Sequence, residues 1–157
     1  MFAGEVRRLG REETDAAAAV RRASFDAALP WLAGLHTAEE DRTFWRERVF
    51  AAGPVWGAFA GGRLVGVMAL REGWIDQLYV SPDAQGAGAG SALLARAKEG
   101  AGALELWTFA SSARARRFYE ARGFRPVEET DGSGNEEGEP DVRYRWERAW
   151  VEGPTRG

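Results

Sequence analysis

The segment QGAGAGS, Gln85 to Ser91, sets Gly86, Gly88 and Gly90 at alternate positions between a strand-like run and a helix-like run. Glycine is costly to order, so three at such a junction imply either unusual backbone angles or a ligand that touches the main chain. A helix starting near Gly88 presents unpaired N–H groups and the positive end of its dipole, which suits an anion such as phosphate. Other reactive groups are few. The chain has no cysteine, so thiolate nucleophiles, thiolate metal sites and disulfides are excluded. Its one histidine, His36, rules out a histidine-rich metal site and allows a Ser-His-Asp triad only through that residue.

The elements that must position this loop follow from local pattern. Residues 5–9 read as a first strand. REETDAAAAVRRASFDAAL, rich in alanine with acids at its front, reads as a helix ending before Pro30. Thr37 with Glu40 makes a capping box for a second helix to about Ala51, with Phe44, Trp45, Val49 and Ala52 as its apolar face. PVWGAFA and RLVGVMALR form a hairpin about Gly61-Gly62, and WIDQLYV is a fourth strand. GSALLARAKEG is a helix and ALELWTF a fifth strand. SARARRFYEARG is a helix capped by Ser112 and closed by Gly123, and FRPVEE and VRYRWE end the pattern as strands. The order βαα-βββ-α-β-α-ββ predicts an α+β sandwich with a central mixed, mostly antiparallel sheet of six to seven strands. One domain is expected over residues 1–147, with 148–157 as a C-terminal tail.

Read from the residues, the loop has three explanations. A tight turn needs only one glycine. A dinucleotide-binding turn matches the alternation, with Glu105 as the ribose-binding acid, but its third glycine is displaced and antiparallel strands precede it. No Gly-Lys-Ser/Thr closes the segment, so a Walker loop fails. The whole neighbourhood carries the third explanation. LYVSPDAQGAGAG resembles the pyrophosphate loop of the GNAT N-acetyltransferase superfamily, with Leu78, Val80, Pro82, Gln85, Gly88 and Gly90 at its six defined positions. SARARRFYEARGF resembles that family's second signature through Ala115, Phe118, Tyr119, Glu120, Gly123 and Phe124. The strand order and the separation of the two signatures also match.

The resemblance implies an α/β/α sandwich that binds acetyl-CoA and transfers the acetyl group directly to a primary amine of a small molecule or peptide, without a metal. It implies coenzyme contacts from Leu78, Tyr79, Val80, Gln85, Gly86, Ala87, Gly88, Ala89, Gly90, Ser91, Ser112, Arg116 and Tyr119. Two positions depart from the pattern. Ala87 stands where many relatives have Arg or Lys, and Ser112 where they have Asn. Amine acetylation needs the amine deprotonated, the carbonyl oxygen stabilised and the leaving thiolate protonated. By the resemblance, the Leu78 N–H, at a distortion of the fourth strand, faces the thioester oxygen, and Tyr119 is the general acid. An unperturbed phenol, with a pKa of about 10, is a plausible proton donor to a thiolate.

Strict alternation puts Trp74, Asp76 and Leu78 on one strand face. The resemblance, whose members place a Glu or a His at the position of Trp74 or Asp76, implies Asp76 as the local candidate for the general base. Asp76 reads equally well as a partner for a nearby arginine. Trp31, His36, Trp74 and Asp76 are the acceptor-side candidates. Trp107 reads first as core. DGSGNEEGEPD reads as a solvated hairpin tip or as an attractor of a cationic acceptor.

Among 157 residues, 21 basic and 24 acidic side chains are well mixed for a net charge of −3, which argues against a nucleic-acid partner. No apolar run approaches membrane-spanning length and the first residues lack a signal peptide's core, so the expectation is a cytoplasmic protein without a membrane partner. A homodimer is expected by analogy alone. The rival functions are an acyl-CoA-binding sensor of the same fold without turnover, favoured by Ala87 and Ser112, and a nucleotide-binding oxidoreductase.

Overall fold

In the computed structural model, which describes residues 2–152, the chain divides into two units, residues 1–97 and residues 98–157. In the first, β1 (Glu5–Arg8), β2 (Val55–Ala60), β3 (Arg63–Arg71) and β4 (Trp74–Val80) lie side by side in that order, each antiparallel to the next. The β2–β3 hairpin closes on Gly61 and Gly62, whose φ values of 57° and 77° supply the two left-handed residues a two-residue turn requires. The run from Val65 to Ala69 in β3 is wholly buried, as expected for a strand covered on both faces.

Helix α1 (Thr14–Ala28) turns Ala17, Ala18, Val20 and Phe25 inward, and its alanines let the backbone settle close against β3 and β4. The core of this unit joins Leu9, Ala17, Ala18 and Val20 to Trp45, Val49, Val55, Val67 and Ala69. The Thr37 hydroxyl accepts the Glu40 N–H at 3.0 Å and the Glu40 carboxylate accepts the Thr37 N–H at 2.9 Å, so the capping box forms at α2 (Ala38–Phe44). The predicted single helix is interrupted, however: Trp45–Val49 winds as a π-helix before α3 (Phe50–Ala52). The wider turn shifts the phase of the apolar pattern. Trp45 and Val49 are buried, whereas Phe44 is 51 % exposed and Ala52 also faces solvent. Helix α4 (Ala89–Glu99) buries Ala89, Leu93, Leu94 and Ala97.

The second unit holds β5 (Ala103–Phe109), α5 (Ala113–Glu120), β6 (Arg125–Thr130), β7 (Asp141–Glu147) and α6 (Arg148–Glu152), with β7 antiparallel to both β5 and β6. Alternation sorts its strands cleanly. Leu104, Leu106, Val142, Tyr144 and Trp146 are buried, as are Tyr119 and Phe124. The alternate residues form a charged ladder: Arg143 pairs with Glu105 and with Glu128 (3.2 Å), and Arg145 lies 3.7 Å from Glu105 and 3.6 Å from Glu147. Trp107 is in register with Arg143 on this polar set and is 43 % exposed, so the sequence expectation of a core tryptophan is overturned by strand parity. Arg148 ties the start of the expected tail to this unit, donating to the Lys98 carbonyl at 2.5 Å and the Ala101 carbonyl at 3.1 Å. Residues 153–157 lie outside the described residues. Among the described residues, seven strands and their helices realise the α+β class read from sequence, with α6 added where only a tail was expected.

Candidate functional site

The glycine loop is built from the end of β4. The Ser81 N–H donates to the Val65 carbonyl at 2.8 Å, Pro82–Ala84 makes a single 3₁₀ turn closed by the Ala84 N–H on the Ser81 carbonyl, and Gln85 is extended. Gly86 and Gly88 then take φ values of 84° and 95°, a conformation that side-chain-bearing residues rarely adopt. The first intrahelical bond of α4 runs from the Ala92 N–H to the Gly88 carbonyl at 3.0 Å, so the amides of Ala89 and Gly90 have no acceptor within the helix. Ala87 is exposed and contributes no charge. A Cβ on Gly88 would stand 3.1 Å from the Phe2 nitrogen and 3.3 Å from its Cα. The bareness of Gly88 therefore serves a contact inside the protein as well as a backbone angle.

The strand pattern fixes the direction of the Leu78 amide. The bond from Ser81 to Val65 marks those two as a hydrogen-bonded pair of the antiparallel ladder. Stepping back along the register, Val67 and Tyr79 form the next such pair, while Gly66–Val80 and Met68–Leu78 are the non-hydrogen-bonded pairs between. The N–H and C=O of Leu78 accordingly point away from β3. Val80 behaves the same way, and its carbonyl accepts from the Gln85 side-chain amide at 3.3 Å.

Strict alternation fails earlier in the strand. Leu70 pairs with Ile75 and Ala69 with Gln77, which leaves Asp76 as an extra residue, a β-bulge. Ala69 and Leu70 face opposite sides, so Ile75 and Gln77 do too, and Trp74 and Leu78 end on opposite faces rather than on the one predicted. The distortion of the strand thus lies at Asp76, two residues before Leu78. Trp74 and Asp76 stay together around Arg71: both carboxylate oxygens of Asp76 accept from its guanidinium, at 2.5 and 2.8 Å, and the guanidinium lies 5.8 Å from the Trp74 ring. Donating to the Asp76 carboxylate pushes the Arg71 pKa up.

The remaining acceptor-side candidates sit on the loop between α1 and α2. Trp31 lies in a 3₁₀ turn at Pro30–Leu32 and is 60 % exposed. Arg22 braces the loop, donating to the His36 carbonyl at 3.0 Å and to the buried carboxylate of Asp41 at 2.9 Å. The His36 ring Nδ1 is 3.6 Å from Glu40. The Glu40 carboxyl is held below its ordinary range, chiefly by the backbone N–H of Thr37 and then by that residue's hydroxyl.

In the second unit, Ser112 occupies the N-cap position of α5, but its hydroxyl makes no cap bond; only its carbonyl enters the helix, accepting from Arg116 at 3.0 Å. The expectation of a side-chain cap is corrected there: with ψ at 72°, Ser112 is off the extended conformation that aims a capping oxygen at the first turn. Tyr119 is buried, with ring neighbours Phe118 at 5.2 Å, Phe124 at 5.6 Å and Tyr144 at 6.2 Å. Sequence reasoning did not find Tyr144. Its hydroxyl donates to Glu120 at 2.5 Å and accepts from the Arg116 Nε at 3.1 Å. Burial pushes the Tyr144 phenol up, helped by Glu120. Glu105, the ribose-binding acid of a dinucleotide fold, is engaged instead by Arg143 and Arg145. Among the described residues no helix is long and apolar enough to cross a membrane, and no group of three or more His, Cys, Asp and Glu residues is arranged to hold a metal.

Residues 51–126 match the profile of the acetyltransferase (GNAT) domain. No protein with a curated description matches the chain in sequence. In fold, the apo form of YjaB from Escherichia coli is similar over 92 % of this chain and 98 % of that one, at 24 % identity and a TM-score of 0.78. PaiA N-acetyltransferase from Thermoplasma acidophilum, in complex with coenzyme A, is similar over 93 % and 99 % at 24 % identity and a TM-score of 0.67. The ribosomal-protein-alanine N-acetyltransferase from Brucella melitensis follows at 19 % identity, 91 % and 99 % coverage and a TM-score of 0.72. The match to the GNAT domain thus spans residues 51–126, and the α+β fold is shared with these solved structures along nine-tenths of the chain.

Proposed function

We propose that the chain is an acetyl-CoA-dependent N-acetyltransferase acting by direct transfer to a primary amine of a small molecule or peptide. The observation that carries the reading is the run from Leu78 to Gly90: an amide turned away from its β3 partner, then two left-handed glycines delivering the chain into α4. Backbone donors at a helix start suit the diphosphate of the coenzyme, and glycines let its oxygens reach them. With Ala87 uncharged, the loop depends on these main-chain dipoles.

In the reaction, the amine nitrogen attacks the thioester carbonyl, the C–N bond forms and the C–S bond breaks. The Leu78 N–H stabilises the oxyanion, and Tyr119 gives its proton to the departing sulfur. The ammonium proton of the acceptor leaves through Asp76, directly or by way of water; taking it up requires the pair with Arg71 to open. Trp74, beside that pair, and Trp31 and His36 on the α1–α2 loop contact the acceptor. Steady-state thiol release over a panel of amine classes tests this reading, with Tyr119→Phe and Asp76→Asn alongside wild type. General acid–base roles predict losses in kcat of roughly 10²–10⁴-fold for each variant. Unchanged rates in both would discard the assigned proton carriers. Calorimetric binding of acetyl-CoA without thiol release for any amine would favour the acyl-CoA sensor.

A further inference from the structure

Arg116 and Glu120 are one turn apart on α5, and the Tyr144 hydroxyl from β7 sits between them. Tyr144 is fully buried, and its phenol is satisfied on both sides, as donor to one and acceptor from the other. Arg116 is a different kind of group. Its side chain keeps 31 % of its exposure, and of the five N–H donors of a guanidinium the Nε–H goes to Tyr144 and one on Nη1 to the Ala110 carbonyl at 3.4 Å. Its Nη2 stands 3.9 Å from Glu129, beyond hydrogen-bond reach. The base of the guanidinium is thus pinned while its outer edge stays open, and an arginine fork held this way is suited to a phosphate.

We infer that Tyr144 is a positioning residue for coenzyme binding: clamped by Glu120, it fixes the Arg116 guanidinium so that its outer N–H groups meet a phosphate of the coenzyme. This rests on the coenzyme-binding reading above. A phenylalanine at 144 would keep the packing against Tyr119 but release Nε, so the arginine would have to be ordered when the ligand binds.

Calorimetry on the full chain tests it, using wild type, Tyr144→Phe, Arg116→Gln and the double variant, each titrated with coenzyme A and with 3′-dephospho-coenzyme A. The expected result is a loss of affinity of about tenfold for Tyr144→Phe and at least as much for Arg116→Gln, with the double variant no weaker than Arg116→Gln alone. A loss confined to coenzyme A assigns the 3′-phosphate, and an equal loss with both ligands assigns the diphosphate; either supports the inference. In steady state the KM for acetyl-CoA rises while kcat holds, a split that a purely structural defect would not produce. Glu120→Gln, which releases the clamp from the other side, should give a smaller loss of the same kind and stands in if Tyr144→Phe melts early. Wild-type affinity in both Tyr144→Phe and Glu120→Gln, or losses that add in the double variant, would overturn the inference alone. Failure of wild type to bind either ligand would overturn it together with the function it rests on.

Discussion

Two regions would present positive charge to the same kind of ligand by opposite means. The loop from Gln85 to Gly90 would do so with main chain only, since its glycines carry no side chain and Ala87 no charge. The α5–β7 region would do so with side chains, through an arginine steadied by a phenol and a carboxylate. The first depends on backbone angles that one added carbon disturbs. The second depends on contacts between residues far apart in sequence, each of which can be weakened separately. A backbone site should therefore fail abruptly and a side-chain site by degrees.

Gly88→Ala is the sharpest way to break the comparison. At φ 95°, and with Phe2 atoms 3.1–3.3 Å from the new carbon, the substitution should cost about 1–3 kcal/mol of stability and lower Tm by several degrees. Coenzyme affinity should fall further than with any single α5–β7 variant; thermal melts and calorimetry read both, and a Gly88→Ala protein that binds normally would end the main-chain account. Ala87→Arg sharpens it from the other side. Adding the missing charge to an exposed position should tighten coenzyme binding a few-fold at low salt and lose that gain as ionic strength rises. Affinity without salt dependence would mean that the loop is not electrostatically poised.

The smallest effect concerns pH. The carboxyls of Glu13, Glu40, Asp83 and Asp131 are all held low, by Arg7, by the Thr37 amide, by Arg63 and by the Ser133 amide respectively. A lowered folded pKa adds stability that is complete above the ordinary carboxylate range of about 4 and is lost as pH falls through the folded values. Melts between pH 7 and pH 3 should show a decline only at the acid end, and modest because these groups are exposed. A decline beginning above pH 6 would implicate other groups.

The same contrast separates what could be read in sequence from what could not. The glycine loop, the Thr37–Glu40 box and the Gly61-Gly62 hairpin were legible because each is a local event, decided by residues within a few positions of one another. The bulge at Asp76 was not: it arises from the pairing of β3 with β4, and one extra residue was enough to part Trp74 from Leu78. The π turn at Trp45–Val49 shifted an apolar face that ideal helical spacing placed on Phe44 and Ala52. Trp107 was misread because alternation gives two faces without saying which is covered. Tyr144 was missed because its partners lie 24 and 28 residues away along the chain.

Phe2 against Gly88 carries a practical consequence. One approach to the turn is already filled by Phe2, so an anion bound there would have to arrive by a different side. A bulkier side chain in place of Phe2 would press on the turn and depress ligand affinity for reasons unrelated to chemistry. A small dye in the same place would make a reporter whose emission follows occupancy.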